Sequence, residues 1–208
     1  VGTRQYYNYQ DDPYTISTTF TQGIDGYETE FNNIAADADS VISGDPITGV
    51  TSATNDDDWY VFDASAPGLL SVDLRSDVNR YGEYKAGDDY FNVAVYDADH
   101  NILSSGNGKL TGGLYNTLVD EYAYNHEVAA PTSGLYYIVV EDSTFRTTDS
   151  YDLTVNFTEG SLTSFSPHYE TESNSISPNE NPTFADAIAF DKEMRGSLHG
   201  EWDVDYYK

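Results

Sequence analysis

The chain has no cysteine, so neither a disulfide framework nor a thiolate metal site is open to it. Positive charge is scarce as well: 9 Lys and Arg stand against 36 Asp and Glu, a formal net charge of −27. Phosphate backbones and anionic lipid headgroups repel such a chain, because nucleic-acid affinity comes largely from Lys and Arg displacing counterions. Nucleic acid and bare membrane are therefore not expected as partners. No apolar run reaches the ~18 residues that span a bilayer, so direct membrane insertion is not expected either. Val1 opens a polar stretch rather than a signal peptide, and the chain reads as an excerpt of something longer.

What is present suffices for a core. The 208 residues are 38% hydrophobic and 14% aromatic, with 19 tyrosines. So much negative charge in a compact fold opposes folding by self-repulsion unless cations bind or the medium is very salty. The composition implies calcium or a halophilic habitat, and a secreted domain without disulfides commonly uses calcium as its staple.

Comparing the chain with itself reveals a repeat in three pieces. Asp12, Tyr14, Ile16, Phe20, Thr21 and Gly23 recur 137 positions on as Asp149, Tyr151, Leu153, Phe157, Thr158 and Gly160. Glu28, Glu30 and Asn32 recur 142 positions on as Glu170, Glu172 and Asn174. At a shift of 147, Ala38, Asp39, Gly49, Asp56, Asp58 and Tyr60 return as Ala185, Asp186, Gly196, Asp203, Asp205 and Tyr207. The order predicts the ending of one unit (1–23), a complete unit (27–160) and the beginning of another (168–208), a tandem array cut at both ends.

Within the complete unit, 59–63, 69–75, 90–97, 135–141 and 151–157 read as strands, several alternating with period two. Turn residues at 66–68, 97–101 and 131–134 separate them. Only 33–41 and 183–189 read as briefly helical, and no βαβ pattern exists. An all-β, antiparallel β-sandwich is expected.

In an extended segment residues i, i+2 and i+4 point the same way, so Glu28, Glu30 and Asn32 present three oxygen groups along one edge. Asp56, Asp57 and Asp58 form a second acidic cluster, and calcium takes roughly 6 to 8 oxygen ligands of these kinds. The competing reading is solvated surface acid in a halophilic protein. The stretch from Asp97 to Asn101 begins like an EF-hand loop, but Ile102 and Gly108 occupy the positions that need Gly and Glu, so it reads as a hairpin turn. Gly106-Asn107-Gly108-Lys109 lacks the spacing of a phosphate loop and also reads as a turn. His126-Glu127 lacks the second His of H-E-x-x-H, and no G-x-S-x-G elbow occurs, so no catalysis is expected.

The acidic opening E-T-E-F-N-N, the strand D-D-D-W-Y-V-F, the run F-N-V-A-V-Y-D-A-D-H-N-I-L, and the ending S-G-L-Y-Y-I-V-V-E with S-Y-D-L-T-V-N-F resemble the bacterial pre-peptidase C-terminal domains. The collagen-binding domains of clostridial collagenases are similar to these. The resemblance covers 28–160 and implies a jelly-roll-like β-sandwich stabilised by calcium between the acidic opening and the aspartates before the aromatic strand. Glu28, Glu30, Asn32, Asp56 and Asp58 match that pattern. Collagen-binding members often have Asp at the next position, which is Asn33 here. By the repeat, Glu170, Glu172, Asn174, Asp203 and Asp205 would form the matching set in the third piece.

The chain departs from that family in two enlarged stretches, 79–90 and 109–125. These are rich in tyrosine and acid and are expected to form a ligand surface with Tyr84, Asp88, Asp89, Tyr90, Tyr115, Asn116, Asp120 and Tyr122. Tyrosine offers rigid contact area and one hydroxyl at little entropy cost. The competing account is that these tyrosines cover the ends of the sandwich. Similar calcium-dependent modules occur in large repeat-in-toxin adhesins. The expectation is a secreted or cell-surface, calcium-dependent binding module of an adhesin that recognises an extracellular peptide, protein or glycan, with flanking repeats in the same polypeptide. The alternatives are an accessory substrate-binding domain of a secreted hydrolase and a structural spacer from a halophile.

Overall fold

A computed structural model describes residues 15–17, 26–51, 56–78, 89–111, 120–142, 150–170, 182–196 and 204–208. Eleven strands are present among them: β1 (Asp39–Ser40), β2 (Pro46–Val50), β3 (Asp57–Ala64), β4 (Gly68–Val78), β5 (Asp89–Tyr96), β6 (Ile102–Thr111), β7 (Asp120–Ala130), β8 (Gly134–Asp142), β9 (Ser150–Glu159), β10 (His168–Tyr169) and β11 (Met194–Arg195). Alternation accounts for the long ones. In β3 the inward residues are Asp58, Tyr60, Phe62 and Ala64, and in β9 they are Tyr151, Leu153 and Val155, all buried.

The first nine strands form one hydrogen-bonded sheet in the order β1-β3-β8-β5-β6-β7-β4-β9-β2. The sheet folds over on itself. Tyr151 on β9 meets Phe91 on β5 at a ring-centroid distance of 5.3 Å, and Phe157 meets Phe62 on β3 at 5.4 Å, although these strands are far apart in the sheet. The inward faces of β3, β8 and β5 thus pack on those of β7, β4 and β9 around one core. Each fully buried Leu or Val in it contributes ~1.5–3 kcal/mol relative to exposure.

β6 is the corner. It pairs with β5 from Ile102 to Lys109 through two register shifts, and with β7 from Lys109 to Thr111. Segment 106–109, expected as a turn, lies inside this strand. A Cβ at Gly106 would make ordinary contact with the ring of Tyr124 at 3.4 Å, so packing does not demand glycine there. Segment 97–101 is the hairpin turn expected: His100 N–H donates to the Asp97 carbonyl, and the Asp97 side chain takes the N–H groups of Asp99 and Asn101. Residues 35–37 make a single 3-10 turn. The second helical expectation fails, since 183–189 contains no helix and Asp186 instead bridges to Tyr207.

The two ends of the sandwich differ. Residues 65–67, 97–101 and 131–133 join strands tightly at one end. At the other, Asp57 faces Glu141, Val50 faces Ser150, Val78 faces Asp120 and Asp89 faces Lys109. The longer connections after β2, β4, β6 and β8 therefore all leave from this second end.

Past β9 the chain forms a small parallel pair, β10 with β11, against the sandwich. Glu127 on β7 accepts from the Tyr169 hydroxyl and from Arg195, both at 2.5 Å.

Candidate metal centre

The acidic opening crosses the open side of the sandwich from one edge to the other. Glu28 N–H donates to the Thr48 carbonyl of β2 at 3.0 Å. Four residues on, the Asn32 carbonyl accepts from Trp59 N–H of β3 at 3.0 Å, and Asp39 pairs with Tyr60. These ties bring the acids of the opening to those at the start of β3.

Two carboxylates go deep. Glu28 accepts from Val50 N–H at 2.5 Å and from the Tyr60 hydroxyl at 2.8 Å. Asp58 is fully buried; its Oδ2 accepts from the Tyr151 hydroxyl, which lies 2.7 Å from that of Tyr60. The result is a chain running Glu28, Tyr60, Tyr151, Asp58. Burial raises the Asp58 carboxyl to about 8, with the negative Glu28, Asp56 and Glu30 adding to the rise. Burial also raises Glu28 against its hydrogen bonds, and Glu30 is raised by burial and by Asp56, Glu28 and Asp39. The phenols of Tyr60 and Tyr151 are driven far upward by burial and by the same carboxylates, so both remain protonated donors.

Glu28, Glu30, Asn32, Asp56 and Asp58 therefore occupy one electrostatic neighbourhood. Asn32 and Asp58 are both fully buried, and the Oδ1 atom of each has no hydrogen-bond donor, as does the Thr51 hydroxyl. Such orphaned acceptors are costly in a dry interior, and the set is made of the hard oxygens that suit calcium. Among the described residues no three His, Asp or Glu side chains stand around a common point in the manner of a formed metal cage. Asn33 is half-buried beside the cluster. Sequence reasoning missed three members. Asp39 accepts from Thr29 N–H at 2.6 Å and from the Asn32 side chain at 3.5 Å. Tyr60 and Tyr151 cap the carboxylates. All three recur in the internal repeat, which was the available signal.

In the third piece Glu172, Asn174 and Asp203 lie outside the described residues. Glu170 is buried and accepts from the Tyr207 hydroxyl at 2.7 Å, and Asp205 acts electrostatically on Tyr207.

Of the expected ligand surface, Tyr84, Asp88, Tyr115 and Asn116 lie outside the described residues. Asp89 and Tyr90 begin β5, and Asp120 and Tyr122 begin β7, at the end of the sandwich that carries the acidic cluster. Tyr124, at the edge of the second stretch, is buried in the core. An unexpected aromatic group lies on the outer face of the β3-β8-β5 layer. Trp59 stacks on Tyr96 at 5.7 Å, with Tyr137 and His100 edge-on or tilted nearby. On the same face Trp59 stands opposite Val139 and Val139 opposite Ala94, and these two are buried although they point outward by alternation. Beside them runs a row of Asp57, Glu141 and Asn92, in which Asn92 donates to Glu141 at 2.8 Å.

No protein-family model matches the chain, and no curated protein matches it. Among solved structures it is similar to the pre-peptidase C-terminal domain of a collagenase from Bacillus anthracis, at 17% identity and a TM-score of 0.35 over 57% of this chain and 94% of that one. It is also similar to the K3 cleaved adhesin domain of Lys-gingipain from Porphyromonas gingivalis, at 14% identity and a TM-score of 0.34 over 53% of this chain and 73% of that one.

Proposed function

We propose that the sandwich spanning 27–160 is a non-catalytic, calcium-dependent recognition module of an extracellular protein. The observation that carries this reading is the coincidence of two features at one end of the fold. The acid cluster, buried at Asn32, Asp56 and Asp58 and with orphaned Asn32 and Asp58 oxygens, sits where the long connections after β2, β4, β6 and β8 emerge. Glu28, Glu30, Asn32, Asp56 and Asp58, with Asp39 beside them, would hold the ion. Bound calcium would neutralise the mutual repulsion of the cluster and fix the opening against β3, giving the neighbouring connections a rigid base. Tyrosine-rich stretches on a rigid scaffold suit an extracellular peptide or glycan.

Titration calorimetry of the metal-free chain with calcium tests the first half. Saturable binding is expected, together with a higher melting temperature in calcium than in EDTA. An unchanged melting temperature and no binding heat would leave a spacer whose acids serve only hydration. Peptide and glycan arrays probed with and without EDTA test the second half, and collagen peptides on the same array separate an accessory domain of a hydrolase from an adhesin module.

A further inference from the structure

Register fixes what the outer face of the β3-β8-β5 layer displays. Asp57, Glu141 and Asn92 lie in one cross-strand row, Trp59, Val139 and Ala94 in the next, and Val61, Tyr137 and Tyr96 in the third. Trp59 reaches diagonally across the rows to stack on Tyr96, with centroids 5.7 Å apart and 19° between the ring planes. The turn at 97–101 holds His100 in the left-handed region, at a φ of 63°, and its ring meets Tyr137 edge-on at 5.2 Å. The hydrophobic core lies on the opposite face of these strands and includes none of the four rings.

The first row sets two carboxylates against each other. Like charges directly opposite in an antiparallel pair oppose the pairing, because their Cβ atoms are only ~4.5–5.5 Å apart. Asn92 offsets part of this by donating to Glu141 at 2.8 Å. None of the positions in the three rows holds Lys or Arg. Acids and rings form one surface, since the Tyr96 phenol is raised by burial and then by Glu141 and Asp57. Asp57, Trp59, Tyr96, Tyr137 and Glu141 are all half-buried, so each keeps an edge open to solvent.

Such a face is complementary to a cation that is also flat. The negative faces of Trp and Tyr attract a cation, and the carboxylates take its N–H donors. A guanidinium meets both demands, with a fork of donors for the acids and a planar, weakly hydrated surface that stacks on rings. Calcium would be poorly served, because two carboxylates and one amide fall short of its roughly 6 to 8 oxygen ligands. A neutral sugar would stack on the rings but leave the opposed charges uncompensated.

We propose that this face binds an arginine side chain of an extracellular polypeptide, its guanidinium held by Asp57 and Glu141 against the Trp59–Tyr96 rings. The surface is distinct from the tyrosine-rich stretches, and the inference is independent of the calcium reading.

NMR titration of the isotope-labelled full chain in saturating calcium tests it. The probes are the capped peptide Gly-Gly-Arg-Gly-Gly, its citrulline counterpart, which keeps the shape and loses the charge, and cellotriose. The arginine peptide is expected to shift the Trp59 indole N–H and the amides of 57–59 and 139–141 along saturable curves, with the citrulline peptide about tenfold weaker. Glu141→Gln should weaken the arginine peptide about tenfold, by removing a charge-assisted partner at constant shape. Asp45→Asn, an equal loss of charge at an exposed site beside β2, should leave its affinity unchanged. Unshifted signals outside the face verify the fold of each variant; should Glu141→Gln disturb them, the comparison of arginine with citrulline on the wild type decides alone. The proposal is overturned by an absence of saturable shifts, by equal responses to arginine and citrulline, or by cellotriose moving the same signals more strongly. It is equally overturned if Asp45→Asn weakens binding as much as Glu141→Gln, which would mean general attraction to a net charge of −27. Arginine binding that appears only in EDTA would overturn it too, since calcium would then be the occupant of Asp57 and Glu141.

Discussion

Replacing Asp58 with Asn removes a charge while keeping the shape of the side chain. Asp58 is 0% exposed, and only one of its oxygens has a donor, the Tyr151 hydroxyl. Burial first, and then Glu28, Asp56 and Glu30, raise its carboxyl from 3.8 to about 8. The folded chain therefore keeps this proton through a range in which the unfolded chain has lost it. Stability from the group is complete below about pH 4 and is lost as the pH rises to about 8. At about 1.36 kcal/mol per unit the shift sets an upper limit of about 6 kcal/mol, and relaxation around the charge reduces the expected effect to about 3 kcal/mol. Glu28, Glu30 and Asp57 are raised in the same direction and remain in the variant, so the difference between the two proteins reports Asp58 together with its mutual repulsion with its acidic neighbours. The assay is urea unfolding in EDTA at pH 3.5 and pH 9. Relative to their difference at pH 3.5, where Asp58 is protonated in both folded and unfolded wild type, the Asp58→Asn variant should gain about 3 kcal/mol on the wild type at pH 9. Saturating calcium should erase that advantage by stabilising the wild type more. Parallel pH dependence of the two proteins in EDTA would refute the reasoning.

Gly49→Ala should cost about 1–3 kcal/mol in urea unfolding, because its methyl group would overlap the fully buried Tyr151 and the Tyr60 hydroxyl; a neutral result would mean that the tyrosines can part freely. Tyr115→Ala with Tyr122→Ala should abolish binding to whatever peptide or glycan the arrays identify, with an unchanged melting temperature; undiminished affinity would move the ligand surface elsewhere, the Trp59–Tyr96 face being the next place to mutate. Deleting 161–208 should leave a cooperatively folding, calcium-responsive sandwich, since β9 ends at Glu159 and the terminal piece is tied to β7 through Glu127. A truncated chain unfolded in calcium would show that the terminal piece belongs to the core.

Strands were legible where one face is buried along their whole length. β9 alternates Tyr151, Leu153 and Val155 with polar residues, and β3 and β4 do the same, so period two marks them. β6 was not legible, because a strand that leaves one layer for the other changes neighbours midway and is built from Ser, Gly and Asn. The gathering of acids was legible because the repeat preserves its spacing. Tyr60 and Tyr151 were not, since a tyrosine at an inward strand position reads as core filling. Only the fold shows that both hydroxyls end on carboxylates, that of Tyr60 on half-buried Glu28 and that of Tyr151 on buried Asp58.

The corner strand β6 leaves the two sides of the sandwich closed by different means. On its side the layers are joined by a continuous covalent strand and its hydrogen-bond ladder. On the far side β2 and β3 are joined by the acidic opening, through Glu28 to Thr48 and Val50 and through Asn32 to Trp59. The molecule is built like a book, with β6 as spine and residues 28–39 as clasp. Opening that clasp frees the edge strands while the spine stays intact, so loss of structure begins there. Amide hydrogens of β1 and β2 are then the first to exchange with solvent, and those of β4 and β8, each flanked by a strand on both sides, the last.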